Sequence, residues 1–173
     1  MLFRTVIIGI VGLVIAGLTA ISRAEPVLYA REPASVVFVC GNGVSMSVWS
    51  AAYFNRLAIQ RGLPQRATSR STVPPSTDVP LRMRIALAID GFRLDGYQPR
   101  IVQTDDVGSA ELIVVIESGT TVPPDVRVPE RATTEHWQGF PAMRDDYFPS
   151  RAELKRRVEA VVARMSTAGS GTR

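Results

Sequence analysis

The sequence is poor in the side chains that build disulfides and metal centres. It contains one cysteine, Cys40, and one histidine, His136, among 173 residues. A single cysteine cannot form an intramolecular disulfide, and it lacks the resolving thiol that thiol-relay chemistry requires. No cluster of histidine, cysteine and carboxylates has the spacing of metal ligands. The composition therefore predicts no metal site and no cofactor. Three roles remain open for Cys40: a disulfide to another chain, a reactive thiol, or an inert buried residue.

The sequence also lacks a strong excess of one charge beyond its first residues. Two of its 20 basic residues, Arg4 and Arg23, lie in the first 24 positions, which leaves a near balance against 16 acidic residues. Aromatic residues make up 7%, and no basic run is interleaved with them. Nucleic-acid-binding domains usually carry such a basic, aromatic surface, so the composition predicts no nucleic-acid partner.

Residues 1–24 have the layout of a secretory signal peptide. Arg4 precedes an uncharged run from Val6 to Ile21, and Ser22 and Ala24 place small residues at the cleavage site. This run is shorter than the roughly 18–20 apolar residues that span a bilayer. We therefore expect cleavage after Ala24 and a periplasmic or secreted protein. The alternative is an uncleaved anchor that holds the domain on the periplasmic side of the inner membrane, as its only membrane contact.

The patterns in residues 25–165 predict one α/β domain. Short runs of apolar or strand-forming residues predict strands at 35–39, 66–69, 100–103, 111–116 and 125–128. Apolar residues at helical spacing predict helices at 47–62, 81–89 and 150–165. Strands separated by helices favour a small parallel sheet flanked by helices. Ligands bind such sheets beyond the carboxyl ends of the strands, where Cys40 falls. Residues 166–173 are small and polar and predict a disordered tail.

The segment VVFVCGNGVSMS, residues 36–47, resembles the opening motif of the low-molecular-weight protein tyrosine phosphatases. That fold also serves some arsenate reductases, and its motif is a strand followed by Cys-x-Gly-Asn-x-Cys-Arg-Ser. Two later segments are similar to family landmarks: residues 69–72 to a Ser-x-Gly-Thr segment, and RDDYFPS at 144–150 to an Asp-Pro-Tyr acid loop. The resemblance covers about residues 35–165 and implies a phosphotyrosine phosphatase I-like fold.

The resemblance also implies a role for each matching residue. Cys40 would attack phosphorus, Ser47 would steady its thiolate, and Asp145 would protonate the leaving group. Successive backbone amides at a helix N-terminus form a cradle for phosphate oxygens. Here that anion-binding loop would consist of Gly41, Asn42, Gly43, Val44, Ser45 and Met46.

Three departures from the family motif bear on activity. Met46 stands where the family has its loop arginine, Asn42 lies one position early, and Ser45 replaces the second cysteine. Losing one neutral oxyanion donor costs on the order of 10²–10³ in rate, and a bidentate cation should cost at least as much. The sequence therefore predicts a catalytically impaired domain that binds a phosphate-like anion, a phosphoprotein or another protein partner. The alternative is an active cysteine-dependent phosphotyrosine hydrolase, with Arg70 or Arg144 replacing the cation.

A second alternative uses a different nucleophile. Residues 43–47 approximate the G-x-S-x-G elbow of serine hydrolases, with Ser45 as nucleophile and Ser47 in place of the last glycine. Asp125 and His136 follow in the chain order of such a triad. In a third interpretation, Cys40 has no chemical role and is a small buried apolar residue at the end of a strand.

Overall fold

The computed structural model describes residues 33–75, 78–94, 97–117, 119–140 and 147–170. Its centre is a four-stranded parallel sheet in the order β2-β1-β3-β4. The strands are β1 (Val36–Cys40), β2 (Ala67–Ser71), β3 (Leu112–Ile116) and β4 (Thr133–Trp137). Every residue of β1 and β3 is buried, as expected of central parallel strands with both faces covered. The predicted α/β fold with a small parallel sheet is confirmed.

Helices cover both faces of the sheet. They are α1 (Met46–Gln60), α2 (Leu81–Ile89), α3 (Thr104–Val107) and α4 (Tyr147–Ser170). Side chains of α1, α2 and α4 pack in one apolar cluster with Phe38 and Cys40 of β1. Successive residues of a strand point to opposite faces, and Val39 accordingly packs on the other face with Val107 of α3. This alternation places the Cys40 side chain on the face that α1 covers.

The edges of the sheet differ from the sequence prediction. Residues 100–103 form only an isolated bridge between Ile101 and Ser71, and residues 125–128 form a turn and loop rather than a strand. The fourth strand is instead β4, which the apolar pattern did not indicate. It lies at an edge with Thr133, Thr134 and His136 exposed, so its sequence shows no buried run.

The last helix is longer than predicted. α4 continues through Ser170, so the predicted disordered tail is helical over its first five positions, 166–170. Ser166 and Thr167 donate side-chain hydrogen bonds to the carbonyls of Val162 and Arg164, at 2.8 Å each. These bonds tie polar side chains of the last turns to the helix backbone.

The predicted signal peptide, residues 1–24, lies outside the described residues. Within the described ranges, no helix combines the length and apolarity needed to cross a bilayer.

Candidate active site

Cys40 lies at the point where the sheet reverses its winding. The chain leaves β1 to form β2 on one side, and later returns to form β3 on the other side of β1. The connections from the two sides separate there and leave a crevice beyond the carboxyl ends of the strands. Because Cys40 is the last residue of β1, the fold places its sulfur at the base of this crevice.

The loop after β1 folds back onto the Cys40 sulfur. The Sγ atom lies 2.9 Å from Ser47 Oγ, and the backbone amides of Gly43 and Ser47 also hydrogen-bond to the sulfur. Ser69 Oγ lies 2.9 Å from Ser47 Oγ and 3.1 Å from the Tyr97 hydroxyl oxygen. A hydrogen-bond network therefore connects the sulfur, the start of α1 and strand β2.

Close packing against β2 gives the loop its shape. Gly43 has φ +66°, and a Cβ built on it would lie 3.1 Å from the Cβ of Ser71 and 3.2 Å from its amide nitrogen. The Gly43 carbonyl accepts a 2.6 Å hydrogen bond from the Tyr97 hydroxyl. The Gly41 carbonyl accepts from the amide of Thr72 at 3.1 Å. Only glycine fits at position 43 without strain, and this close fit holds the loop in place beside the sulfur.

Burial governs the ionisation of Cys40. The residue is fully buried, and this desolvation raises the pKa of its thiol above the ordinary value of 9.0. The bonds from Ser47 and Gly43 act in the opposite direction, while the nearby Glu117 carboxylate raises the thiol pKa further. The balance favours the neutral thiol at neutral pH. A nucleophilic cysteine instead has a depressed pKa that makes the thiolate available.

Comparison with known proteins identifies the fold. No family model matches the sequence, and no curated protein matches it. An arsenate reductase from Archaeoglobus fulgidus is 27% identical, covers 74% of this chain and 98% of its own, and gives a TM-score of 0.56. An arsenate reductase in the phosphate-binding state is 18% identical over 77% of this chain and 99% of its own (TM-score 0.61). The low-molecular-weight protein tyrosine phosphatase of Streptococcus pyogenes is 11% identical over 76% and 93% (TM-score 0.58). The chain has the fold of the low-molecular-weight phosphatases and arsenate reductases.

The structure brings together most of the residues that the phosphatase resemblance singles out. Cys40 and Ser47 are in contact, and the predicted anion-binding loop connects them. Within it, Asn42 is exposed, Ser45 is half-buried and Val44 is buried. The predicted general acid, Asp145, lies outside the described residues, as does Arg144. The catalytic roles of Cys40, Ser47 and Asp145 stay predictions.

Met46, the residue that the resemblance aligns with the family's loop arginine, has apolar surroundings. Met46 is 2% exposed and packs in the same apolar cluster as Cys40 and Val44. Arg70 pairs in register with Val39, so its side chain leaves the sheet on the face opposite Cys40. Its guanidinium lies 2.8 Å from the buried carboxylate of Asp106. Arg70 is therefore directed away from the loop and does not supply a cation there.

The geometry does not assemble the serine-hydrolase triad. Ser45 precedes α1, on the face of the sheet that α1 covers. His136 is exposed on β4 and pairs with Val115, whose side chain packs on the opposite face. Asp125 is exposed beside a groove of about 270 Å³ that Ile101 also lines. The three side chains thus belong to separate parts of the fold.

Two residues of the site, Tyr97 and Glu117, were not predicted from the sequence. Tyr97 lies in an irregular segment without a periodic pattern, and only the folded chain brings its hydroxyl to Gly43 and Ser69. Glu117 directly follows β3, and the amide of Gly41 donates to its carboxylate. Its position was the available signal, since a polar residue just beyond the carboxyl end of a parallel strand faces the ligand crevice.

Proposed function

We propose that this protein is a low-molecular-weight phosphatase-like domain that binds a phosphate-like anion, free or on a phosphoprotein, with little or no turnover. The main support for this proposal is the loop after β1, in which the amides of Gly43 and Ser47 converge on the Cys40 sulfur. Backbone amides that converge in this way form an anion-binding concavity that does not depend on side chains. The arsenate reductase solved in its phosphate-binding state has the same fold, which is consistent with this assignment.

Impaired catalysis follows from two features of the same loop. Burial raises the pKa of the Cys40 thiol, which lowers the supply of the thiolate that would attack phosphorus. Met46 provides neither charge nor hydrogen-bond donor where the family arginine would grip the transferring group. Arsenate reduction through a thiol relay is disfavoured too, since Cys40 is the only cysteine of the chain.

Hydrolysis of an aryl phosphate tests this proposal. We expect turnover by the unmodified protein close to the background set by Cys40→Ser. Met46→Arg should raise the rate, because removing a single neutral oxyanion donor already costs on the order of 10²–10³ in rate. Met46→Gln is the matched control, since it adds polarity at similar length without the cation. Circular dichroism spectra should establish that each variant remains folded.

The opposite result would be turnover well above background in the unmodified protein, abolished in Cys40→Ser. That outcome would establish the active cysteine-dependent phosphatase and contradict the impaired one. Binding of inorganic phosphate without turnover would support the proposal, and the absence of both binding and turnover would refute it.

We further propose that residues 1–24 direct the protein out of the cytoplasm, since a positive residue, an uncharged run and small residues at −3 and −1 occur in that order. Mass spectrometry of the exported protein should give a chain that begins at Glu25. A full-length chain recovered with the membrane fraction would instead favour the uncleaved anchor.

A further inference from the structure

Glu117 has an unusual backbone for a residue with a side chain. It directly follows β3 and has φ +90°, the single positive φ among the described non-glycine residues. This region disfavours residues with a Cβ, and such outliers persist where the surrounding structure imposes them. Two hydrogen bonds fix the backbone here: the Glu117 amide donates to the carbonyl of Trp137 at 2.9 Å, and its carbonyl accepts from Thr120 at 3.4 Å.

The strained backbone directs the Glu117 side chain to the loop. The amide of Gly41, the first residue after Cys40, donates to the Glu117 carboxylate. A Cβ built on Gly41 would lie 3.7 Å from Glu117 Oε2, which places this oxygen directly against the loop backbone. Glu117 is half-buried, so water screens its charge only in part. One amide of the proposed anion-binding loop is therefore already bound to a carboxylate.

The loop offers this carboxylate no positive partner, because none of residues 41–46 is cationic. Met46 replaces the loop arginine, and Arg70 is held by Asp106 on the other face of the sheet. The Cys40 thiol is the ionisable group of β1 next to Glu117, and the two interact unfavourably when both are charged. A negative ligand that enters the loop would consequently meet a negative side chain, and the repulsion would double for a doubly charged ligand.

We propose that Glu117 determines which anions the loop accepts, by occupying the Gly41 amide and selecting singly charged ligands over dianions. This inference rests on the proposed anion-binding function and deepens it. The Gly41 amide is a donor that an external oxyanion would otherwise use. The carboxylate competes for that donor and adds repulsion that grows with ligand charge.

Sulfate and perchlorate test this selectivity, because both are tetrahedral and their charges, −2 and −1, are fixed near neutral pH. Binding of each anion is measured by isothermal titration calorimetry at pH 7.5 in constant ionic strength. Glu117→Gln retains the size of the side chain and removes its charge. We expect it to raise sulfate affinity at least tenfold and perchlorate affinity by a clearly smaller factor. Glu111→Gln, which neutralises an exposed carboxylate at the opposite end of β3, should change neither affinity.

A second variant keeps the test decisive if glutamine alters the strained backbone. Glu117→Gly removes the carboxylate and tolerates φ +90°, and it should show the same shift in the sulfate-to-perchlorate ratio. An unchanged ratio in both variants, with measurable binding throughout, would overturn the role of Glu117 and leave the anion site intact. Binding of neither anion by any of the proteins would overturn the anion-binding function and this inference together.

Discussion

Replacing Gly43 with alanine tests how tightly the loop is fitted against β2. Gly43 and Gly62 have the same φ of +66°, but a Cβ at Gly62 would meet nothing within 4 Å. At Gly43 it would lie 3.1 Å and 3.2 Å from Ser71 atoms and 3.3 Å from the carbonyl carbon of Arg70. Two of these three atoms belong to backbone, which cannot move aside as a flexible side chain could.

The two glycines separate the backbone cost from the contact cost. A non-glycine residue in this left-handed region costs about 1 kcal/mol, which is the full expected effect of Gly62→Ala. Gly43→Ala adds an overpacking cost of about 1–3 kcal/mol, because β2 is a buried strand. We therefore expect Gly43→Ala to lower the free energy of unfolding by about 3 kcal/mol, and Gly62→Ala by about 1 kcal/mol.

Urea unfolding of the two variants and the unmodified protein measures both values by linear extrapolation. The difference between the variants is the informative quantity, since the φ contribution cancels. Equal destabilisation by the two substitutions would refute the close approach of the loop to β2. Gly43→Ala should also weaken anion binding, whereas Gly62→Ala should not.

Two further predictions concern buried ionisable groups. The unfolded chain ionises Cys40 near pH 9 while the folded protein keeps the thiol protonated, so the free energy of unfolding should fall from pH 9 to 10. Cys40 should contribute up to about 1.4 kcal/mol per pH unit to this slope, and Cys40→Ala should remove that contribution; an identical slope in both proteins would contradict the raised pKa. Asp106→Asn should destabilise the fold by about 3 kcal/mol, because Arg70 loses a buried ionic partner. Glu153→Gln, a surface ion-pair control, should cost less than about 1 kcal/mol, and equal effects of the two would contradict this assignment.

The sequence predicted the central strands well because their burial is visible in composition. Residues 36–40 and 112–116 are continuous apolar runs, and such runs occur where a parallel strand is covered on both faces. β4 escaped prediction for the opposite reason. Its exposed polar side chains carry no periodic pattern, and its extended conformation is fixed by hydrogen bonds to β3. Edge strands depend on their neighbour more than on their own residues.

In the candidate site, too, local sequence predicted some residues, and only the fold brought in the others. Cys40, Ser47 and the glycines between them lie within eight residues, 40–47, so one local motif in the sequence sufficed to select them. The surroundings of the sulfur come from distant segments. Ser69, Tyr97 and Glu117 approach the loop only after the sheet has formed, and no local pattern encodes those contacts.

By itself, the sequence determined the alternation of strands and helices, the position of Cys40 at a strand end and the absence of a loop arginine. Each of these is a property of neighbouring residues. Tertiary structure alone decided that the thiol is buried, that Arg70 points to the opposite face, and that a glutamate occupies the first amide of the loop. Burial and charge at a site are sums over segments far apart in the chain, and only folding brings those segments within range of one another.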